Sequence, residues 1–207
     1  MNKPSPKPGT VPAGPSTPLP PASPPHLSSL ELNSKFHSLP PQPKDAGFLT
    51  LIVVRPVVDT RVLLESVLLS DQEGLPGDRW GLGTPRNYEA QIAVMRRDVA
   101  ELIANGQPIG LFGDNLFVDL DLSATNLPAG TRLQVGGASV EVTPLPHNGC
   151  GKFSARFGRD ALQFVNAIPT RQLNLRGIYW KVVESGLVRV GSPIRVLSSV
   201  VSHKSLD

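Results

Sequence analysis

Short runs of apolar and β-branched residues follow one another along the chain after residue 46. Such runs lie at residues 47–56, 61–69, 91–95, 116–122, 131–135, 138–143, 179–183 and 193–197. Their short length and their content of valine, isoleucine and threonine predict β-strands rather than helices. Gly136-Gly137 separates two of the runs and predicts a tight hairpin.

Two other segments have the composition or spacing of helices. Residues 97–106 favour a helix that stops at Asn105-Gly106. Beyond Cys150, apolar side chains recur on one helix face that is broken near Gly158. Many short strands, frequent glycine turns and only two or three helices predict a mainly β fold, a compact β-barrel with peripheral helices. The absence of a repeated β-α-β order argues against a Rossmann sheet.

The first 46 residues differ in composition from the rest of the chain. Thirteen of the 22 prolines precede Asp45, and no apolar run in this stretch is long enough to offset the entropy of ordering it. We therefore expect residues 1–46 to form a proline-rich disordered tail. Residues 47–198, about 150 in number, have the usual size of a single domain, and residues 199–207 are a short C-terminal tail.

Charge and hydropathy exclude several classes of function. The formal net charge is +3, and the proline-rich tail carries most of it, which leaves residues 47–207 nearly neutral. A nearly neutral domain lacks the broad basic face of a general nucleic-acid binder. No segment has the length and apolar content of a membrane span, and the N-terminus lacks the apolar core of a secretory signal. We expect no nucleic-acid partner, no membrane and a cytoplasmic location.

Cys150 is the single cysteine, so the chain forms neither an intramolecular disulfide nor a thiolate-rich zinc site. It lies between Gly149 and Gly151, just before a predicted helix, with Lys152 next in sequence. The glycines leave the sulfur accessible, and the helix start and the lysine both lower a thiol pKa. These features predict a reactive thiol; the alternative is a buried, inert cysteine.

Basic side chains are concentrated around and after this cysteine. Between residues 145 and 181 only Asp160 is acidic, and the basic residues are Lys152, Arg156, Arg159, Arg171, Arg176 and Lys181. Such a cluster suits a phosphate or another small anion. The alternative is a solvated helix face, to which we assign Arg159. His147 could serve as a base for the thiol, or it could be a turn histidine that bonds to the backbone.

Two further turns are dense in polar residues. Gly113-Asp114-Asn115 and Gly77-Asp78-Arg79 each place an aspartate after a glycine, which is typical of side chains that cap their own turn. Asp78 and Arg79 could also form an internal ion pair. Neither turn alone indicates a function.

Taken in order, several of these segments resemble the MOSC domain, named for the C-terminal domain of molybdenum-cofactor sulfurases. The resemblance spans about residues 50–197 and rests on five segments: 77–79, 91–92, 112–116, 127–136 and 146–150, followed by Arg176-Gly177-Ile178-Tyr179. Two positions depart from it, because the family often has Glu where Asp114 stands and Asp where Ser192 stands.

The resemblance implies a β-barrel of the MOSC type with Cys150 as its reactive residue. Some members of the family bind a molybdenum-pterin cofactor through that thiolate and reduce N-hydroxylated bases and amidoximes. By this resemblance Cys150 ligates molybdenum, Asp114 and Asn115 shape the catalytic pocket, and Gly113 contributes to cofactor binding. The same resemblance implies that Arg171 and Arg176, with Lys152 or Arg156, bind the phosphate of the pterin.

Three functions follow from the resemblance and stay open at this stage. The first is a molybdenum-dependent reductase of small N-hydroxylated substrates, with electrons from a separate donor protein because the sequence has no flavin, haem or iron–sulfur motif. The second is a sulfur carrier that holds a persulfide on Cys150 and works with a cysteine desulfurase. Pyridoxal phosphate would then belong to that partner. The third is a non-catalytic module that binds molybdopterin.

Overall fold

The computed structural model describes residues 25–198, which form ten strands, four α-helices and four short 3-10 helices. The strands are β1 (Ala46–Val54), β2 (Val62–Leu64), β3 (Ser66–Leu69), β4 (Ile92–Arg96), β5 (Leu116–Asp119), β6 (Arg132–Val135), β7 (Ala138–Val142), β8 (Ile178–Glu184), β9 (Gly186–Arg189) and β10 (Pro193–Ser198). The helices are α1 (Ser29–His37), α2 (Arg97–Ala104), α3 (Gly151–Phe157) and α4 (Arg159–Asn166).

Seven strands close into a mixed barrel. Their order is β10-β6-β7-β8-β4-β5-β1, and β1 pairs with β10 to complete the ring. Only the β4–β5 pair in this ring is parallel, and β2 extends the sheet beyond β1. The predicted mainly β, barrel-shaped fold is confirmed, although the described part of the chain holds four α-helices rather than two or three.

The barrel strands form where the apolar runs predicted them, with one exception. The β6–β7 hairpin turns at Gly136-Gly137, and Gly136 has a φ of 53° that favours glycine. Residues 61–69, however, do not form one strand. The chain leaves the barrel near Glu65, so β2 pairs with β1 whereas β3 forms a separate ribbon with β9.

Two apolar cores stabilise the molecule. One fills the barrel with side chains such as Leu49, Val140 and Trp180, each fully buried. The other lies between the outer wall of the barrel and the helices, where Phe112 meets both Phe117 and Phe157. The second core fixes α3, and therefore the cysteine that precedes α3, against the barrel.

Both predicted helical segments are present. The first ends at Asn105, whose left-handed φ of 44° closes α2. The second is interrupted at Gly158, whose φ of 92° separates α3 from α4. Glycine adopts this conformation without the steric cost that a side chain would meet, so the break predicted at this position is confirmed.

The predicted disordered tail is wrong for residues 25–46, which include α1 and the first residue of β1. Ser28 and Glu31 form a capping box at the start of α1, and Leu32 is fully buried against the helical layer. Phe36 packs edge-to-face on Phe164. Apolar side chains at i and i+4 stabilise a short helix when an apolar surface is already present, so no long apolar run is required. Residues 1–24 and 199–207 of the predicted tails lie outside the described residues.

The helices of the described part, residues 25–198, are all too short or too polar to cross a membrane.

Candidate functional site

Cys150 lies at the edge of a cavity of about 310 Å³, between the end of the barrel and the first turn of α3. We call it the Cys150 cavity. Its lining residues are Arg55, Asp59, Arg61, Arg79, Phe112, Gly113, His147, Asn148, Cys150, Lys152, Phe153, Arg156, Arg176 and Tyr179. They come from the loops before β2, after β3, before β5, before α3 and before β8, and from α3 and β8 themselves, so distant parts of the sequence meet here.

The thiol of Cys150 is exposed and its pKa is lowered. The backbone N–H of Phe153 is the largest cause, because it stabilises the thiolate. Partial burial opposes this effect, whereas the backbone N–H of Lys152 and the charges of Arg176 and Lys152 add to it. A thiol that is both accessible and shifted towards the thiolate has the properties of a nucleophile or a metal ligand.

The cavity is strongly cationic. Six of its lining side chains are basic and one, Asp59, is acidic. Asp59 pairs with Arg156 at 2.7 Å. Burial lowers the pKa of Arg61, and the charges of Arg156 and Arg55 lower it further, which is the effect expected where like charges crowd together. An anion in the cavity would relieve this repulsion.

Three of the six basic side chains have no carboxylate within 4 Å in the described part of the chain. They are Arg61, Arg79 and Lys152. A guanidinium group without a carboxylate partner can bind an external phosphate or carboxylate bidentately. These three residues are therefore the strongest anion-binding candidates of the cavity.

A buried set of three side chains, Asp114, Arg176 and His147, lies behind the thiol, and we call it the open network. Asp114 is fully buried and accepts a 2.6 Å bond from Arg176. Its second oxygen is 3.5 Å from Nδ1 of His147, too far for a good hydrogen bond. Asp114 Oδ1, His147 Nδ1 and Arg176 Nε have no hydrogen-bond partner among the described residues.

His147 is a neutral base in this network. Burial, followed by the charge of Arg176, lowers its pKa to about 3, and the charge of Asp114 opposes this only in part. Its ring lies 4.3 Å from that of Tyr179. Burial and the charge of Asp114 raise the pKa of Tyr179, so the phenol keeps its proton at neutral pH. The two rings thus offer the cavity a neutral imidazole and a neutral hydroxyl.

A second set of polar side chains, Arg55, Asp78 and Asn115, forms what we call the closed network. The guanidinium of Arg55 donates to both oxygens of Asp78, at 2.8 and 2.9 Å, to Asn115 Oδ1, and to the carbonyl of Gly113. Asn115 Nδ2 donates to Asp78 at 3.0 Å. Although burial raises the pKa of Asp78, the bonds and charge of Arg55 outweigh it, and the pKa is lowered.

The closed network corrects one prediction from the sequence. Asp78 forms its ion pair with Arg55 rather than with its neighbour Arg79. Asp78 caps the 3-10 helix that starts at Arg79 by accepting from the backbone N–H of Trp80, so its side chain points back into the protein. The guanidinium of Arg79 is left to line the cavity.

The structure brings most, but not all, of the predicted site residues to the cavity. Gly113, Cys150, Lys152, Arg156 and Arg176 line it. Asp114 and Asn115 are fully buried behind its wall, in the open and the closed network respectively.

Arg171 is the exception among the predicted phosphate ligands. It lies on the 3-10 helix Ile168–Leu173 and lines two neighbouring cavities instead of the Cys150 cavity. Its short sequence distance from Arg176 suggested a shared site. The two arginines do line one small cavity of about 160 Å³ together, but only Arg176 also lines the Cys150 cavity.

Sequence reasoning did not assign to the site several residues that line the cavity, among them Arg55, Arg61, Arg79 and Tyr179. Arg55 had a visible signal, because a charged residue directly follows the apolar run of β1. Arg79 lies in one of the segments that resemble the MOSC domain, residues 77–79, whereas Arg61 had no signal, since arginine in a surface loop is common. Only the barrel closure brings these loops beside α3.

The described residues hold no group of three or more His, Cys, Asp or Glu side chains that could bind a metal on their own. A metal in the Cys150 cavity would therefore take Cys150 as its protein ligand and complete its coordination with non-protein groups.

Comparison with known proteins gives one family and a set of similar folds. The model of the MOSC domain family matches residues 86–195, more than half of the chain. The YuaD protein from Bacillus subtilis is 17% identical, with a TM-score of 0.52 over 73% of this chain and 95% of that one. YiiM from Escherichia coli is 20% identical, with a TM-score of 0.51 over 74% of this chain and 71% of that one. No curated protein matches the sequence.

Proposed function

The chain belongs to the MOSC domain family, and from this premise we propose that it binds a molybdenum-pterin cofactor in the Cys150 cavity and reduces small N-hydroxylated compounds. One observation carries the proposal. The only thiol of the chain has a lowered pKa and borders a cavity lined by six basic side chains. This combination suits a ligand that carries both a soft metal and a phosphate.

The residues present fit such a cofactor. Thiolate sulfur is a ligand that soft metal centres accept. A phosphate would bind to the side chains that have no carboxylate partner, Arg61, Arg79 and Lys152. In this proposal they replace Arg171, which lies outside the cavity. The orphaned polar atoms of the open network supply further bonding capacity at the same place.

The space available also fits an extended ligand. A cavity of about 540 Å³ adjoins the Cys150 cavity and shares Arg55, Arg79 and Tyr179 with it. It adds the indole of Trp80, which packs edge-to-face on Tyr88. A planar heterocycle larger than the Cys150 cavity could therefore continue into a neighbouring space with an aromatic wall.

Reduction of an N-hydroxylated compound breaks the N–O bond and releases water, which consumes two electrons and two protons. When bound, the cofactor supplies the two-electron chemistry at the oxygen atom. Tyr179 can donate a hydrogen bond to that oxygen and neutral His147 can form a hydrogen bond with the substrate, while the two protons consumed come from solvent. The electrons come from a donor protein, and the reducing, cytoplasmic location expected from the free thiol keeps Cys150 available.

Molybdenum content measured by elemental analysis tests the proposal without an activity assay. We would purify the wild type, Cys150→Ser, Arg61→Gln and Arg189→Gln from a host that makes molybdenum cofactor. Arg189 is exposed on β9, away from the cavity, and is the matched control for Arg61. We expect near-stoichiometric molybdenum in the wild type and the control, loss in Cys150→Ser and reduced content in Arg61→Gln. Absence of molybdenum from the wild type would overturn the proposal.

Sulfur transfer is the second candidate function, and the exposure of Cys150 favours it. A thiolate at the surface can accept a sulfur atom from a cysteine desulfurase as a persulfide and pass it on. Intact-mass measurement of the molybdenum-free protein decides this case. A mass increase of one sulfur atom that disappears in Cys150→Ser supports the carrier. Molybdenum that remains bound in Cys150→Ser supports a non-catalytic binding module instead.

A further inference from the structure

A large cavity of about 570 Å³ shares His147 with the Cys150 cavity but is not lined by the thiol, and we call it the Arg171 cavity. Its walls are mainly apolar, with Leu127, Leu145 and Ile178 among the lining side chains. Ile168 stands at its rim with 76% of its surface exposed. The size and apolar lining are those of a small-molecule site.

Among the residues that the structure describes, Arg171 is the only charged side chain that lines this cavity, and none of them places a carboxylate there. In the described part of the chain, Arg171 has no carboxylate within 4 Å. The end of its 3-10 helix is fixed, because Asn174 donates a 2.8 Å bond to the carbonyl of Leu122. Arg171 itself is exposed, so the cavity offers one accessible cation beside apolar walls.

His147 connects the Arg171 cavity to the Cys150 cavity, because its ring lines both. It also lines a cavity of about 160 Å³ between them, together with Arg171 and Arg176. Only 7% of the His147 side chain is exposed, and its Nδ1 has no hydrogen-bond partner among the described residues. An orphaned polar atom at this depth is costly unless a ligand completes its bonding.

We propose that the Arg171 cavity is the substrate subsite and that it takes an apolar molecule with a terminal carboxylate. The carboxylate binds Arg171, and the apolar body lies against Leu127 and Leu145. The reacting polar end then reaches His147, at the boundary with the Cys150 cavity. The placement of the reacting end at His147 rests on the proposed function. The binding of an apolar carboxylate at Arg171 is independent of the proposed function.

The charge pattern favours a carboxylate over a phosphate in this subsite. A single guanidinium group matches the one negative charge and planar fork of a carboxylate. A phosphate ester carries more charge and finds a better site in the Cys150 cavity, where six basic side chains converge. The two cavities thus sort ligands by charge, with the phosphate on the thiol side and the carboxylate on the apolar side.

Calorimetric titration of the full chain, without added cofactor, tests the subsite directly. The probes are 3-phenylpropanoate and its neutral amide, 3-phenylpropanamide. We expect the carboxylate to bind about tenfold more tightly than the amide, because only the carboxylate pairs with Arg171. Arg171→Gln should remove this preference. Arg159→Gln, an exposed arginine on the adjacent helix α4, is the matched control and should retain it.

The outcomes separate this inference from the proposed function. Equal binding of the two probes to the wild type, or a preference that survives in Arg171→Gln, would overturn the subsite whatever the molybdenum content. A preference that depends on Arg171 supports the subsite even in a protein that never binds molybdenum. In the loaded enzyme, Arg171→Gln should raise KM about tenfold for an N-hydroxylated substrate with a carboxylate and leave KM unchanged for one without.

Discussion

The closed and the open network border the same cavity, yet they differ in how completely their polar atoms are paired. In the closed network, Asp78 and Asn115 use both of their terminal atoms, and all three nitrogens of Arg55 donate. In the open network, one atom each of Asp114, His147 and Arg176 lacks a partner.

This difference indicates two roles. A fully bonded buried network fixes a wall, because each charge has its partner within the protein. A network with unpaired atoms has a cost in the free protein that a ligand can offset, so it belongs to the surface that binds. By this criterion Arg55 holds the loops in place, whereas Arg176 and His147 face the ligand.

Removing the carboxylate of the closed network should have the largest effect. In Asp78→Ala the guanidinium of Arg55, which is 14% exposed, loses its charged partner. We expect the free energy of unfolding to fall by about 3–5 kcal/mol, measured by urea denaturation. The exposed pair Arg97–Glu101 supplies the control, because Glu101→Gln should change it by at most about 0.5 kcal/mol. Equal effects of the two substitutions would contradict the structural role of this network.

The open network should show itself in the dependence of stability on pH. Burial and the charge of Arg176 lower the pKa of His147 from 6.5 to about 3. Between these values the unfolded chain binds a proton that the folded protein does not, so stability falls as the pH drops from 6.5 towards 3. At about pH 4.5 this loss is on the order of 2 kcal/mol.

The variant His147→Gln removes this titration, so it should lose less stability than the wild type between pH 7 and about pH 4.5. Urea denaturation at both pH values measures the difference. His37→Gln, an exposed histidine on α1, is the control and should behave as the wild type does. A wild-type pH dependence in His147→Gln would show that His147 is not the titrating group.

The smallest expected effect concerns the thiol itself. Lys152 is the last and weakest of the charges that lower the pKa of Cys150. Lys152→Gln should therefore raise that pKa slightly, because the backbone N–H groups of Phe153 and Lys152 remain. The rate of alkylation by iodoacetamide, measured against pH, reports on this thiol alone, since the chain has no other cysteine. A pKa that falls in Lys152→Gln would contradict the electrostatic account.

Much of the fold could be predicted from local patterns in the sequence. The Gly136-Gly137 hairpin and the break at Gly158 are local features, and both appear as expected. The strand predicted at residues 61–69 failed because its division depends on which distant strands are available to pair, β1 for one half and β9 for the other. Helix α1 was missed because the surface that stabilises it lies more than sixty residues away in sequence.

The candidate site also has some features that follow from neighbouring residues in the sequence and others that depend on distant ones. The reactive character of Cys150 follows from its immediate neighbours, and the structure gives its pKa the expected direction. The predicted grouping of Arg171 with Arg176 holds only in part, because both line the small cavity of about 160 Å³ whereas Arg176 alone also lines the Cys150 cavity. Arg61 and Arg79 reach the cavity only because the barrel closes, and no short-range pattern encodes that closure.

Helix α1 has a practical consequence for recombinant work. The proline-rich composition suggests that the first 46 residues can be deleted. That deletion would remove Leu32 and Phe36 from the helical layer and expose an apolar surface that promotes aggregation. The same cut would remove His26, whose ring bonds at 2.9 Å to the carbonyl of Arg156, a residue of the Cys150 cavity. A shortened protein should therefore start before residue 25. A shorter one is expected to have lower solubility and activity than the full chain.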